Sequence, residues 1–250
     1  MDTSPIYASQ KGRFGSSPDR SSEFRRGALA VLPVLLGAIP FAMVLGAQSV
    51  QKGLSLSAVM LMTGLNFAGG SEFAAVRLWT SPPHILLIAA ITFLVNSRHL
   101  LMGAVLAPFI RHLPNRKALI SLFLMCDESW AVGLADAKHR HSKNIHPALS
   151  LKFYAGVAIP FYVAWISSAT VGAAFGPMMG DLHPYGFDMA FPAVFLVLLA
   201  GMWKGFAAAL PWLASLVVAA LAYLAIPGGW YVAAGAVSGL VAAYLLTGEK

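Results

Sequence analysis

The stretch HILLIAAITFLVNSRHLLMGAVLAPFI, residues 84–110, decides how this chain is read. A bilayer core is crossed by about 20 apolar residues in a helix, and this run is long enough. Yet Asn96, Arg98 and His99 stand at its middle. A charge at the bilayer centre costs about 2.5–3.5 kcal/mol even on lenient insertion scales, so such residues are kept where they pair, line a water-filled path or handle a polar cargo. The anomaly recurs on both sides. Asp127 and Glu128 interrupt the apolar run from Ala118 to Ala135, and Glu72 follows the small-residue stretch Ala68-Gly69-Gly70-Ser71. The pattern implies that something polar is moved through a membrane.

Composition supports the membrane assignment. Of the 250 residues, 58% are hydrophobic and 11% charged, whereas a soluble domain carries about 25% charge. The chain therefore has too little polar surface to face water, and its length allows about eight spans. Its net charge of +7 does not point to nucleic acid, because the basic residues are spread over loops and the amino-terminal tail and no basic stripe lies on a polar domain. The single cysteine, Cys126, excludes an intrachain disulfide and reads as a small buried residue inside a helix.

The expected architecture is an all-α, polytopic helical membrane protein with seven or eight transmembrane helices. Residues 1–22, rich in Ser, Pro, Gly and charge, read as a disordered cytoplasmic tail rather than a secretory signal; residues 23–250 read as a transmembrane permease domain. The spans fall at Gly27–Ala47 (with Pro33 and Pro40), Leu54–Trp79, from His84, Ala118–Ala135, Ser150–Phe175, Asp188–Trp203, Phe206–Ala225 and Trp230–Leu246. The second contains Gly69-Gly70 and reads either as one tilted helix or as two half-helices. Asp136–His146 is expected to be a polar loop. In the eight-span arrangement most Lys and Arg, including Arg25, Arg26, Lys138, Arg140 and Lys143, lie on one side, with Lys52, Arg111, Arg116 and Lys117 opposite. This places both termini in the cytoplasm. A candidate internal repeat matches Gly53-Leu54-Ser55 onward with Gly186-Phe187-Asp188 onward; transporters are commonly built from such repeats.

Helical phase sorts the polar residues. Asn96 and His99, three apart, share a face, and Arg98 points away from Asn96. Asp127 and Glu128 diverge in the same way, with Asp127 on the face of Trp130. Arg98 is expected to pair with one of these carboxylates, leaving the other, or His99, to carry a proton. A break at Gly69-Gly70 would offer backbone amides to a substrate carboxylate. Tyr154, Tyr162 and Trp165 read as interface anchors or packing residues. His139, His141 and His146 read as solvated, with no metal site, since ligand partners at suitable spacing are lacking. No His-Glu-x-x-His, Gly-x-Ser-x-Gly or phosphate-loop motif is present. The chain therefore reads as neither a zincin, a hydrolase nor an ATPase, with no cofactor. A proton or cation channel, an intramembrane metal enzyme and a transporter of another small polar solute are the rival readings.

These motifs resemble those of the AzlC family, the large subunit of bacterial branched-chain amino acid exporters. The resemblance runs from about Gly27 to Gly205. It includes Pro40-Phe41, Phe67-Ala68-Gly69-Gly70-Ser71-Glu72-Phe73, Asn96-Ser97-Arg98-His99-Leu100-Leu101-Met102, Asp127-Glu128-Ser129, Trp165 and Phe191-Pro192-Ala193-Val194-Phe195-Leu196. It implies export of valine, leucine, isoleucine and methionine across the bacterial inner membrane, coupled to protons, with a small AzlD-like membrane subunit as partner. The chain departs from the family pattern at Glu72, where Gln is usual, and so gains an ionisable group beside the glycines. On this reading Arg98 binds the substrate carboxylate or orders a carboxylate partner. Asp127, Glu128 or Glu72 receives the ammonium group or carries a proton, Asn96 and His99 line the path, and the cargo's side chain lies among Met and Phe residues of adjacent spans.

Overall fold

A computed structural model of the chain describes residues 20–178, Leu196, 205–226 and 230–247. The tail up to residue 19, the sixth expected span and the second half of the candidate repeat lie outside the described residues. All regular structure among the described residues is helical. Among the described residues, three helical stretches are long and apolar enough to cross a membrane: Ser22–Gln51, Ile85–Ile110 and Leu151–Phe175. Large apolar side chains on their outer faces, such as Leu36, Phe93 and Val163, are exposed. In a bilayer these faces meet lipid tails, which solvate them as well as other side chains do.

Helix α1 (Arg20–Gln51) begins ahead of the apolar run at Gly27 and continues through Pro33 and Pro40. It packs along α8 (Leu151–Phe175) with almost no side chain between the backbones. A Cβ on Gly27 or Gly46 would overlap the carbonyl oxygens of Phe153 and Ala169, and one on Gly156 or Gly172 those of Phe24 and Met43. Pairing 24 with 156 and 43 with 172 makes the two helices parallel. Small residues permit this approach, which maximises dispersion contact where no hydrophobic effect drives helices together.

Between α1 and α8 the chain forms three pairs of half-helices: α2 (Leu56–Asn66) with α3 (Gly69–Arg77), α4 (Ile85–Asn96) with α5 (Arg98–Ile110), and α6 (Asn115–Phe123) with α7 (Asp127–Ser142). The second expected span is thus two half-helices. Its break is at Phe67–Ala68 rather than at the glycines: Phe67 adopts the left-handed conformation (φ 45°) that ends α2, a common way to terminate a helix. The third expected span is divided at Ser97, which keeps helical dihedrals (φ −55°, ψ −25°). The fourth is interrupted at Leu124–Cys126, so Cys126 lies at the break and caps α7 rather than sitting inside a helix. There the Cys126 N–H donates to Ser129 Oγ at 2.9 Å.

The expected loop at Asp136–His146 is instead helical through Ser142. Charge explains this. Arg26 of α1 donates to Asp136 at 2.6 and 3.2 Å, and Glu23 accepts from Arg26 and Arg140 at 2.9 and 3.3 Å. The end of α7 is thereby tied to the start of α1, and the Arg26 guanidinium also lies 4.2 Å over the Phe153 ring. Helices α9 (Phe206–Ala225) and α10 (Trp230–Thr247) pack on each other and match the last two expected spans.

Candidate functional site

Glu72, Asn96, Arg98, His99, Asp127 and Glu128 all stand at or beside one of the three places where one half-helix ends and the next begins. The breaks at 67–68 and 124–126 interrupt the helical path, whereas Ser97 keeps helical dihedrals and its N–H donates to the Phe93 carbonyl at 2.9 Å. Broken helices of this kind are where transporters bind cargo.

At the first break, Glu72 is fully buried. One carboxylate oxygen accepts from the Ala68 N–H and the other from the Trp165 indole N–H, each at 3.0 Å. The acid therefore caps its own half-helix and ties it to α8. Gly69 makes room for this, since a Cβ there would sit 2.8 Å from the Trp165 ring. Gly70 follows, half-buried, in the first turn of α3.

From the same break a directed chain of hydrogen bonds runs to the second. Ser71 Oγ donates to the Ala68 carbonyl at 2.9 Å, so it accepts from Asn66 Nδ2 at 2.8 Å. Asn66 Oδ1 in turn accepts from Asn96 Nδ2 at 2.9 Å. The chain fixes the orientation of both amides and leaves Asn96 Oδ1 over. That atom and Arg98 Nε are buried without a hydrogen-bond partner. His99 Nδ1 lies 3.1 Å from the Asn96 carbonyl. A carbonyl only accepts, so Nδ1 carries the proton and Nε2 is the basic nitrogen.

At the third break, Arg98 Nη1 pairs with Asp127 Oδ2 at 3.0 Å, both side chains partly exposed at 33% and 41%. Glu128 is half-buried; its carboxylate lies against the Cys126 thiol and a backbone amide, near Asp127 and Arg98. Trp130 Nε1 donates to the Met102 carbonyl at 3.1 Å and fastens α7 to α5 beside the ion pair.

Of the two pairings open in the sequence, the structure brings Arg98 to Asp127. Asn66 joins them as a member not predicted from the sequence; an amide within an apolar run carries the same signal as Asn96 does. Of the two readings of Trp165, Tyr154 and Tyr162, packing is the one the structure supports. Trp165 and Tyr154 are buried, and the hydroxyls of Tyr154 and Tyr162 donate to the Ser121 and Gly64 carbonyls at 3.0 and 2.7 Å. No cluster of three or more metal-ligating side chains occurs among the described residues.

A profile of the AzlC protein family matches residues 33–179, more than half of the 250-residue chain. The chain belongs to the AzlC family. The matched region spans all three breaks. The chain is 29% identical over 191 residues to an "Uncharacterized membrane protein" of Archaeoglobus fulgidus, covering 76% of this chain and 80% of the relative. It is 26% identical over 182 residues to the "Branched-chain amino acid transport protein AzlC" of Bacillus subtilis, covering 72% and 68%. No solved structure matches. With its apolar helices and these relatives, this AzlC-family chain is a membrane protein.

Proposed function

We propose that this chain is the large subunit of a secondary transporter that exports branched-chain and similar hydrophobic L-amino acids across the bacterial inner membrane, coupled to protons and joined by a small AzlD-like subunit. It is a transport protein, not an enzyme. One observation carries the reading. Side chains from the three pairs of half-helices and α8 form three polar links, Trp165 to Glu72, Ser71 through Asn66 to Asn96, and Arg98 to Asp127, beside the places where the helices are interrupted. Helix packing alone does not require so many polar groups at such a cost. The name of the Bacillus subtilis relative supports the cargo class; export, proton coupling and the partner subunit follow from the family resemblance.

In this mechanism the Arg98 guanidinium, already shared with Asp127, takes the carboxylate of the cargo. Its planar fork suits that geometry. Asp127 and Glu128 are then released to meet the ammonium group or to exchange a proton, and Glu72 stays tied to α8 as the acid that holds the first break.

The test is efflux of labelled valine from proteoliposomes containing the chain and its partner under a proton gradient. Saturable efflux faster than from protein-free vesicles is expected; efflux no faster ends the exporter reading, and ion conduction without amino-acid exchange would favour a channel. Arg98→Ala should abolish flux while leaving membrane insertion intact. Unimpaired flux in that variant removes Arg98 from the site.

A further inference from the structure

The buried apolar side chains fall into two cores. One joins α1, α2 and α3 to one face of α8, with Val31, Phe73 and Phe161 among its members. The other joins α5 and α7 to the adjoining face of α8, through Leu106, Leu134 and Tyr154. The buried apolar side chains of α1 and α7 thus belong to different cores, and what ties these two helices is charge. Arg26 donates to both carboxylate oxygens of Asp136, and Glu23 accepts from Arg26 and Arg140. The network is well shielded: the side chains of Asp136, Arg140 and Glu23 are only 7%, 12% and 14% exposed. The candidate site draws on both groups of helices. Glu72 and Asn66 come from α3 and α2, Arg98 and Asp127 from α5 and α7. The ion pairs cross the same seam about 14 Å further along α7, since nine residues separate Asp127 from Asp136 at 1.5 Å each.

We propose that Glu23, Arg26, Asp136 and Arg140 form an ionic latch that closes this seam at the end where α1 begins, and that its release opens the site to that side of the membrane. The latch rests on the transport reading above and adds the gate it needs. Transporters expose a fixed site alternately to the two sides by moving one group of helices against another. Ion pairs suit that task. Losing one member of a shielded network leaves its mate uncompensated, so the network is either made or broken. Arg26 stays with the first group when Asp136 leaves, because its guanidinium also lies over the Phe153 ring and pairs with Glu23. Helix α7 is free to tilt, being bounded by the break at Leu124–Cys126 and by the left-handed Asn144 (φ 55°). The backbone-to-backbone contact of α1 with α8 keeps the other group fixed.

Cys126 reports on the seam: it is the single cysteine, it is buried, and it caps the start of α7. The full chain with its partner, in sealed vesicles of each orientation, is treated with a small charged methanethiosulfonate. Asp136→Asn is expected to speed labelling of Cys126 about tenfold, between the effects of breaking exposed and buried pairs. The gain should appear only from the face where α1 begins. Arg140→Gln breaks the other pair and should act in the same direction, so the result does not hang on one variant. A variant that merely loosens the fold labels alike from both faces. That outcome in both variants, or an unchanged rate in both, overturns the latch. Valine efflux separates the two readings: one-sided labelling in a chain that exports no valine keeps the latch and removes the cargo, while efflux with unchanged labelling does the reverse.

Discussion

At the residue scale, Glu72 and Trp165 show how an expensive group is kept in an apolar setting. A fully buried carboxylate whose two oxygens each receive an N–H is far cheaper than one left bare. Trp165→Phe preserves most of the ring's packing but removes the donor to Glu72 at 3.0 Å. The loss should be about 1–3 kcal/mol, the usual cost of a buried group left unsatisfied. Glu72→Gln removes the charge but turns an NH2 toward one of the two N–H donors, so it is destabilising as well. In the Glu72→Gln background Trp165→Phe should cost less than it does alone, since the amide cannot accept from both N–H donors and the link to Trp165 is already weakened. Thermal unfolding of the four proteins in lipid nanodiscs closes this cycle. Strict additivity would mean that the two side chains are neighbours without being energetic partners.

At the element scale, the close contact of α1 with α8 makes glycines on one helix respond oppositely. Gly46 sits where any Cβ overlaps the Ala169 backbone, while Gly37, on the same helix, has nothing within 4 Å of its would-be Cβ. Gly37→Ala should therefore raise stability by about 0.5–1 kcal/mol, the ordinary gain in a helix interior. Gly46→Ala should force the helices apart and sharply reduce the folded yield on size-exclusion chromatography in detergent. Equal behaviour of the two variants would remove the close packing from the fold. The helices themselves were legible: α1, α8, α9 and α10 follow apolar runs that stand out in the sequence. The breaks were only partly so. Apolar character continues through Phe67, Ser97 and Leu124, and hydropathy does not distinguish a divided crossing from a continuous one. Gly69 and Gly70 signalled the first break but misplaced it, because Gly69 serves the approach of Trp165 and the left-handed turn falls to Phe67. The site's ionisable members were legible from cost alone; the pairing of Arg98 with Asp127 needed the third dimension.

At the scale of the whole molecule, the parallel packing of α1 and α8 constrains topology. Helix α1 ends at the far side of the bundle from the Arg26–Asp136 ion pair, and α8 begins again on the near side. The chain between them must cross an odd number of times, and the three half-helix pairs supply three crossings. The first five expected spans are thereby consistent with one another, and the loop carrying Arg111, Arg116 and Lys117 falls opposite the amino-terminal end despite its positive charge. The energetic bias against that placement is modest, because the larger excess of Lys and Arg lies on the near side, and that excess sets the overall orientation. Sided labelling decides the matter with little perturbation, since the chain has a single buried cysteine to replace. In a Cys126→Ser background, single cysteines at the exposed positions Arg25, Lys52, Arg116 and Lys143 are probed with an impermeant maleimide in membranes of both orientations. Positions 25 and 143 should label from the cytoplasmic face and positions 52 and 116 only from the other. If 116 labels with 143, the α6–α7 pair does not cross but re-enters, and because the number of crossings stays odd one of the other two pairs re-enters with it.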